Sequence, residues 1–348
     1  MFKIIDFLYM FKLERWVSLA PFTTLKIGLE AEYFVRLANK GDLMNALSWA
    51  KDNHRPVHIL GGGSNTLVSK KFRGLVLKNE IKGKKVVSDS KTAVLIEVRS
   101  GESWSKFVDY TVKKGWHGLE NLSLIYGTVG AAPLQNIGAY GSELKDHFDH
   151  LVAIDLQTGE EKIFSLADCR FGYRDSVFKN RLKGRYFIYS VTFKLFKKAP
   201  LQLEYGSIKE VLKSKGLTRP SLKDVARAVK EIRRGKLPDP GRLPNAGSFF
   251  KNVEVSSAKY RKLQKNRPDL PGWPSGDNLV KIPAAWLIEN TGFKGKKIGP
   301  VGMHERQALV MVNYGEASPA QVLALAKKIK KAVKESFGLD LEEEINII

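Results

Sequence analysis

Apolar residues fall into short blocks whose period changes along the chain. Residues 25–35 alternate weakly, which predicts a strand. Leu43, Ala46, Leu47 and Ala50 then recur at helical spacing behind Asp42, so a helix is expected to open there. Val57-His58-Ile59-Leu60 has the form of a short buried strand and runs into Gly61-Gly62-Gly63-Ser64-Asn65. Residues 74–77 and 93–98 are again strand-like, and 104–112 follow a helical period. Two further apolar blocks flank Gln157-Thr158-Gly159-Glu160 as a hairpin, and a long strand is expected over 186–195. Strands and helices mix here without a βαβ rhythm, so the expected class is α+β.

The composition then shifts. Residues 206–236 hold ten Lys/Arg against three Asp/Glu. Within them Ser221, with Asp224 three residues on, predicts a helix start, and Leu222, Val225, Val229 and Ile232 form its apolar stripe. Lys236-Leu237-Pro238-Asp239-Pro240-Gly241 ends that helix in a turn. Beyond it, helices are expected at 284–290 and 318–337 and strands at 308–312 and 339–348, which suits a small α/β domain. Lys327, Lys328, Lys330, Lys331 and Lys334 with Ala326, Ile329 and Val333 opposite predict an amphipathic surface helix.

Length and charge narrow the class further. A chain of 348 residues exceeds the usual limit of one core, so two domains are expected. Lys plus Arg is 58 and Asp plus Glu is 36, a net +22 that favours anionic partners without choosing among them. The lone Cys169 excludes an internal disulfide and a cysteine-built zinc site, as befits a reducing cytoplasm. The six histidines form no metal constellation; His147 and His150 read as a surface helix or loop. No apolar run is long enough to span a membrane. The first eleven residues are apolar but carry Lys3 and Asp6, a poor signal peptide. They are read as a short extension or an amphipathic anchor, with no stable membrane insertion.

Two glycine-rich stretches carry the candidate chemistry. Gly61-Gly62-Gly63-Ser64-Asn65 lets backbone N–H groups converge on an anion. It is neither a Walker loop nor a Rossmann fingerprint, because no Gly-Lys-Ser/Thr follows and the next element is a strand. A plain tight turn is the competing reading. Residues 127–141 are less ordinary: four glycines and a proline leave little to pack, yet Gln135, Asn136 and Tyr140 lie among them. So bare a backbone suits a flat polar ligand lying against it.

Those two stretches, Arg170-Phe171-Gly172-Tyr173-Arg174-Asp175-Ser176 and Asn245-Ala246-Gly247-Ser248-Phe249-Phe250-Lys251-Asn252 occur in this order. Together they resemble the UDP-N-acetylenolpyruvoylglucosamine reductase family, in its longer Tyr-loop class, from about residue 21 to the end. The resemblance implies an FAD-binding domain of the vanillyl-alcohol-oxidase (PCMH) type and a C-terminal substrate domain. On this chain that gives an N-terminal extension at 1–19, the FAD domain at 20–198, and the Tyr loop with its basic connecting helix at 199–244. The substrate domain follows at 245–348, with a return of its last strand to the FAD domain as an open alternative.

The resemblance also assigns residues. Gly61, Gly62, Gly63, Ser64, Asn65, Gly130, Asn136, Ile137, Gly138 and Ala139 would hold FAD, without a covalent link since neither loop has a histidine. Ala131 and Ala132 stand where relatives often have serine. Tyr173 and Arg174 match the grip on the substrate carboxylate, for which the planar guanidinium fork is suited; by residue type alone a surface arginine paired with Asp175 or Asp168 is simpler. Ser248 would donate a proton to carbon, where a turn serine is the bland alternative. Glu344 registers on the family's catalytic acid, although Glu343 replaces a proline and Asn346 an arginine. Tyr140, Tyr205, Arg233, Lys236, Asn252 and Gln307 would bind the UDP substrate. The implied reaction reduces UDP-N-acetylglucosamine-enolpyruvate to UDP-N-acetylmuramate with NADPH, in a cytoplasmic monomer without metal. Another FAD oxidoreductase of the superfamily is the alternative. A nucleic-acid-binding protein rests on charge alone, with no recognisable binding motif, and nucleic acid is not an expected partner.

Overall fold

The computed structural model describes residues 12–348. The expected extension at 1–19 therefore lies mostly outside the described residues; its described end enters a strand at Glu14–Ser18. Two compact units divide the chain. The first takes residues up to Val17 with 31–62 and 72–235, and the second takes 18–30, 63–71 and 236–348. This departs from the expected boundaries in two ways. Two short stretches from early in the sequence belong with the C-terminal unit, and the basic helices of 206–235 belong with the first.

In the first unit one sheet has the order Glu14–Ser18, Glu30–Leu37, Phe72–Asn79, Val57–Leu60. Its last three strands are parallel, and the helix Lys40–Asp52 joins Glu30–Leu37 to Val57–Leu60. A βαβ crossover is thus present where none was expected. Asn39 caps that helix, with Asp42 returning the bond to the cap backbone. Its buried face, Leu43, Ala46, Leu47 and Ala50, packs on Val35, Leu37, Leu75 and Leu77 of the sheet.

The second sheet is antiparallel, in the order Glu161–Ser165, Phe148–Asp155, Tyr186–Phe196, Ala93–Arg99, Lys84–Asp89. The predicted hairpin forms its edge. The helix Trp104–Lys114 starts at the Ser103 cap and ends at left-handed Gly115. It buries Trp104 and Phe107 against Phe193 of the sheet, with ring centroids 5.8 and 5.1 Å apart. Helices Gly206–Ser214 and Leu222–Lys236 share a small core of their own, Ile208, Leu212, Val225, Val229 and Ile232. Ser221 and Asp224 bond reciprocally at the start of the second, as their spacing predicts.

The second unit has an antiparallel sheet in the order Asn245–Ser248, Val310–Asn313, Val301–Met303, Lys297–Ile298. Helices Ala284–Asn290 and Pro319–Phe337 contribute Leu287, Ile288, Val322, Leu325, Ile329 and Val333 to its core. Leu25, Ile27 and Leu67, from the two early stretches, complete that core. Only Asn346–Ile347 of the expected C-terminal strand is strand, and it pairs in parallel with Thr66–Leu67. The alternation before it holds nonetheless: Leu341 and Ile345 are buried.

Candidate active site

In the first unit the strand Val57–Leu60 ends in Gly61 and Gly62. A Cβ on Gly62 would sit 2.9 Å from the Cα of Gly127, so two bare backbone stretches face each other there. A Cβ on Gly61 would meet the Thr128 hydroxyl at 2.8 Å, and that hydroxyl is buried without a hydrogen-bond partner among the described residues. Side-chain-free backbone beside an unsatisfied hydroxyl fits a ligand rich in acceptor oxygens, such as the diphosphate of FAD.

The stretch expected to be non-helical forms 3₁₀ turns over Val129–Gln135. Pro133 is tolerated because the neighbouring Ala131 and Ala132 N–H groups close the turn onto Thr128 O at 3.1 and 3.2 Å. The Gly130 N–H is likewise taken by Ser100 O at 2.9 Å. Asn136 ends the turns in the left-handed region and is fully buried. Its amide donates to Glu143 Oε2 at 3.0 Å and Gly172 O at 3.1 Å, and its carbonyl accepts from Lys145 N at 3.1 Å. The side chain is therefore committed to fastening this loop to the Arg170–Ser176 stretch. Both backbone groups of Ile137 are also engaged, with Ala132 and Leu144. Gly138 and Ala139 form a small hairpin with Ser142 and Glu143.

Arg174 follows with left-handed backbone and donates from Nη2 to Gly138 O at 2.7 Å. Arg233, half-buried on the basic helix, donates to Leu124 O at 3.1 Å and interacts electrostatically with Tyr140. Burial pulls its pKa below the ordinary arginine range, Tyr140 opposes this, and the nearby Arg174 guanidinium adds to it. Burial raises the Tyr140 phenol, against the pull of Arg233. Tyr205 meets Tyr140 edge to face at 5.2 Å, and both Tyr173 and Tyr205 are exposed. Arg233 beside Tyr140, and Arg174 with its guanidinium 5.5 Å from the Tyr173 ring centroid, have the chemistry that suits an anionic ligand.

In the second unit the backbone of the Glu344 stretch runs beside that of the Ser248 turn. The turn before Ser248 is set by Asn245, whose Oδ1 accepts from Gly247 N at 3.0 Å while Gly247 takes positive φ. Phe249 and Phe250, nearly fully buried, anchor the turn from behind. Glu344 N–H donates to Phe249 O at 2.8 Å, and Lys251 N–H to Glu342 O at 2.9 Å, so the acidic stretch lies along the serine strand. Asn65, expected at the cofactor, does something further here. Its Nδ2 donates to Glu344 O at 3.2 Å, and its carbonyl accepts from Asn346 N and Nδ2 at 2.9 and 3.1 Å. Asn346, standing where the family has arginine, is therefore part of this clasp.

Other assigned residues have local partners. Asn252 Oδ1 accepts from Ala284 N at the start of a helix, and Gln307 Oε1 accepts from Leu309 N in its own turn. Lys236 ends its helix exposed. His147 and His150 do not form a surface helix: the first closes a 3₁₀ turn and the second lies in the strand Phe148–Asp155. Among the described residues no group of three or more His, Cys, Asp or Glu could hold a metal, and no helix is long and apolar enough to cross a membrane. Thr128 and Tyr126 were not singled out from the sequence. Tyr126 acts electrostatically on Arg233, and its only sequence signal is its place beside the glycine-rich stretch.

Comparison with known proteins defines the class first. A family model described as FAD binding domain matches residues 31–167. One described as UDP-N-acetylenolpyruvoylglucosamine reductase, C-terminal domain, matches residues 239–348. The chain is thus a flavoprotein, with FAD as cofactor, joined to a reductase-type C-terminal domain. The UDP-N-acetylenolpyruvoylglucosamine reductase of Pseudomonas aeruginosa is 45% identical over 97% of this chain and 99% of its own. That of Pseudomonas fluorescens Pf0-1 is 47% identical over 95% of this chain and 97% of its own. Among solved structures, UDP-N-acetylenolpyruvylglucosamine reductase from Thermus caldophilus has the same fold, with a TM-score of 0.69 at 22% identity, covering 97% of this chain and 99% of its own. The chain belongs to the UDP-N-acetylenolpyruvoylglucosamine reductase family.

Proposed function

We propose that this chain reduces the enolpyruvyl ether of UDP-N-acetylglucosamine-enolpyruvate to UDP-N-acetylmuramate in peptidoglycan precursor synthesis, with NADPH as reductant. When bound, FAD supplies hydride transfer, in from the nicotinamide and out to the β-carbon of the substrate. The chain supplies charge, orientation and a proton. Hydride addition leaves negative charge on the substrate's α-carbon and carboxylate. Arg174 neutralises the carboxylate with its paired N–H donors. Ser248 gives its hydroxyl proton to the α-carbon; a serine is a weak acid, but a carbanion is basic enough to take the proton. Glu344, protonated, donates a hydrogen bond to the same developing charge. Each such contact lowers the barrier by about 3–4 kcal/mol. Arg233, Tyr140, Tyr205 and Lys236 carry the diphosphate, with Tyr173, Asn252 and Gln307 completing the substrate grip. Gly61, Gly62, Gly63, Ser64 and Asn65 would hold the FAD diphosphate, with Gly138 and Ala139 beside it; the Gly130 N–H, the Asn136 side chain and both Ile137 backbone groups are bonded within the protein and shape the loop instead.

The observation that carries this reading is the pairing of the Ser248 turn with the Glu344 stretch through the 2.8 Å bond from Glu344 N–H to Phe249 O. It supports a shared task for the two groups. Anaerobic reduction of the bound flavin by NADPH, followed by reoxidation with the enolpyruvyl substrate, tests it; a flavin reduced by NADPH that this substrate cannot reoxidise would overturn it. The enzyme is read as a cytoplasmic monomer.

A further inference from the structure

Lys78 is the next-to-last residue of the strand Phe72–Asn79, opposite Leu60 of the neighbouring parallel strand. Its ammonium donates to the carbonyl oxygen of Gly61, the first glycine of the cofactor stretch. Burial lowers its pKa, and nearby Lys82 and Arg36 add to this, while Glu80 opposes it. Arg36 and Glu80 are themselves paired at 3.1 Å. A part-buried ammonium beside two more cations is costly to keep for strand stitching alone, where a neutral side chain serves.

The peptide joining Gly61 to Gly62 explains the cation. In a planar trans peptide the C=O and the following N–H point in opposite directions. Holding Gly61 O on the Lys78 side therefore turns Gly62 N–H to the other. That N–H makes no hydrogen bond among the described residues. Gly62 also faces the bare backbone of Gly127, where no Cβ fits. We infer that Lys78 is a positioning residue for the cofactor: it locks the Gly61–Gly62 peptide so that Gly62 N–H is presented to the FAD diphosphate. The inference rests on the reading that this stretch meets FAD through its backbone. The cation also polarises the peptide, which strengthens the N–H as a donor.

The test is FAD binding to apoprotein, by quenching of flavin fluorescence, in Lys78→Met and Lys78→Arg. Lys78→Met keeps the length and loses the donor; its FAD dissociation constant should rise at least tenfold, with the melting temperature of the apoprotein unchanged. Lys78→Arg keeps a cationic donor and should recover most of the affinity. An FAD affinity within twofold of the parent in Lys78→Met overturns the inference, as does a loss matched by an equal fall in apoprotein stability. If Lys78→Met does not fold, Lys78→Gln decides by the same two readings. Failure of the parent chain to bind FAD would instead sink the cofactor reading beneath it.

Discussion

Removing the Asn136 side chain as Asn136→Ala should destabilise the first unit by about 4.5 kcal/mol, and the size of the loss can be built from its contacts. Asn136 is fully buried and makes three hydrogen bonds. The bonds with Gly172 O and Lys145 N are each worth about 1 kcal/mol net. The bond to Glu143 is charge-assisted, but that carboxylate is 27% exposed and also meets Lys145, so about 1.5 kcal/mol is reasonable. Asparagine also tolerates the left-handed backbone here, φ 41°, where alanine costs about 1 kcal/mol more. Asn136→Gly should therefore lose about 1 kcal/mol less than Asn136→Ala, since glycine gives up the bonds but not the conformation. Asn136→Asp should do no better than alanine, because it sets a carboxylate against Glu143. Urea unfolding of the apoprotein, followed by circular dichroism, measures all three. Losses below about 1 kcal/mol in both Ala and Gly variants would refute the fastening role, and equal losses in the two would refute the conformational part.

Four shorter expectations follow. Ser248→Ala should keep FAD and be reduced by NADPH at the parental rate, yet be reoxidised by the enolpyruvyl substrate at least a hundredfold more slowly; Ser248→Cys should retain more activity, and near-parental turnover in the alanine variant removes Ser248 from the mechanism. Tyr205→Phe should raise the substrate KM several-fold with little change in flavin reduction, because only the phenol's contact to the diphosphate is lost; an unchanged KM means the loop is misassigned. Gly62→Ala drives a Cβ to 2.9 Å from the Gly127 backbone, so FAD should be lost on gel filtration, and retention of a full complement of flavin argues against the cradle. Burial pushes the Cys169 thiol up to about 12, so it stays protonated and unreactive toward a thiol reagent at pH 8 and should be modified only in denaturant; labelling of the native protein contradicts that burial.

Much of the local structure was legible because it is written in neighbouring residues. The Ser221–Asp224 start, the stripe below it and the hairpin around residues 157–160 need only period and cap chemistry. The parallel crossover was not legible, since residues 25–35 alternate too weakly to show a strand buried on both faces. The site was read from motif order and resemblance, and the structure adds what those cannot carry. Asn136 and Asn65 both look like ligand-facing polar residues in glycine-rich loops. One is consumed holding its loop to residue 172, the other by chain ends far away in sequence, and no local pattern encodes such pairings. The C-terminal run was overextended into a strand because alternation records which side is buried, not whether a partner strand is present.

The second unit is stitched from residues 18–30, 63–71 and 236–348, and this orders events during synthesis. Leu25, Ile27 and Leu67 leave the ribosome early, but the core they enter is supplied almost wholly by the last third of the chain. They must wait, exposed, for about two hundred residues to be made, roughly ten to forty seconds at ordinary elongation rates. The clasp on the acid stretch is completed when Asn346 reaches the Asn65 carbonyl, so this part of the unit closes with the final residues. A nascent chain stalled near its end would hold a folded first unit and an unfinished second one. For the same reason residues 236–348 cannot be lifted out as a module: without the early stretches they lack part of their core and the strand partner at Thr66–Leu67.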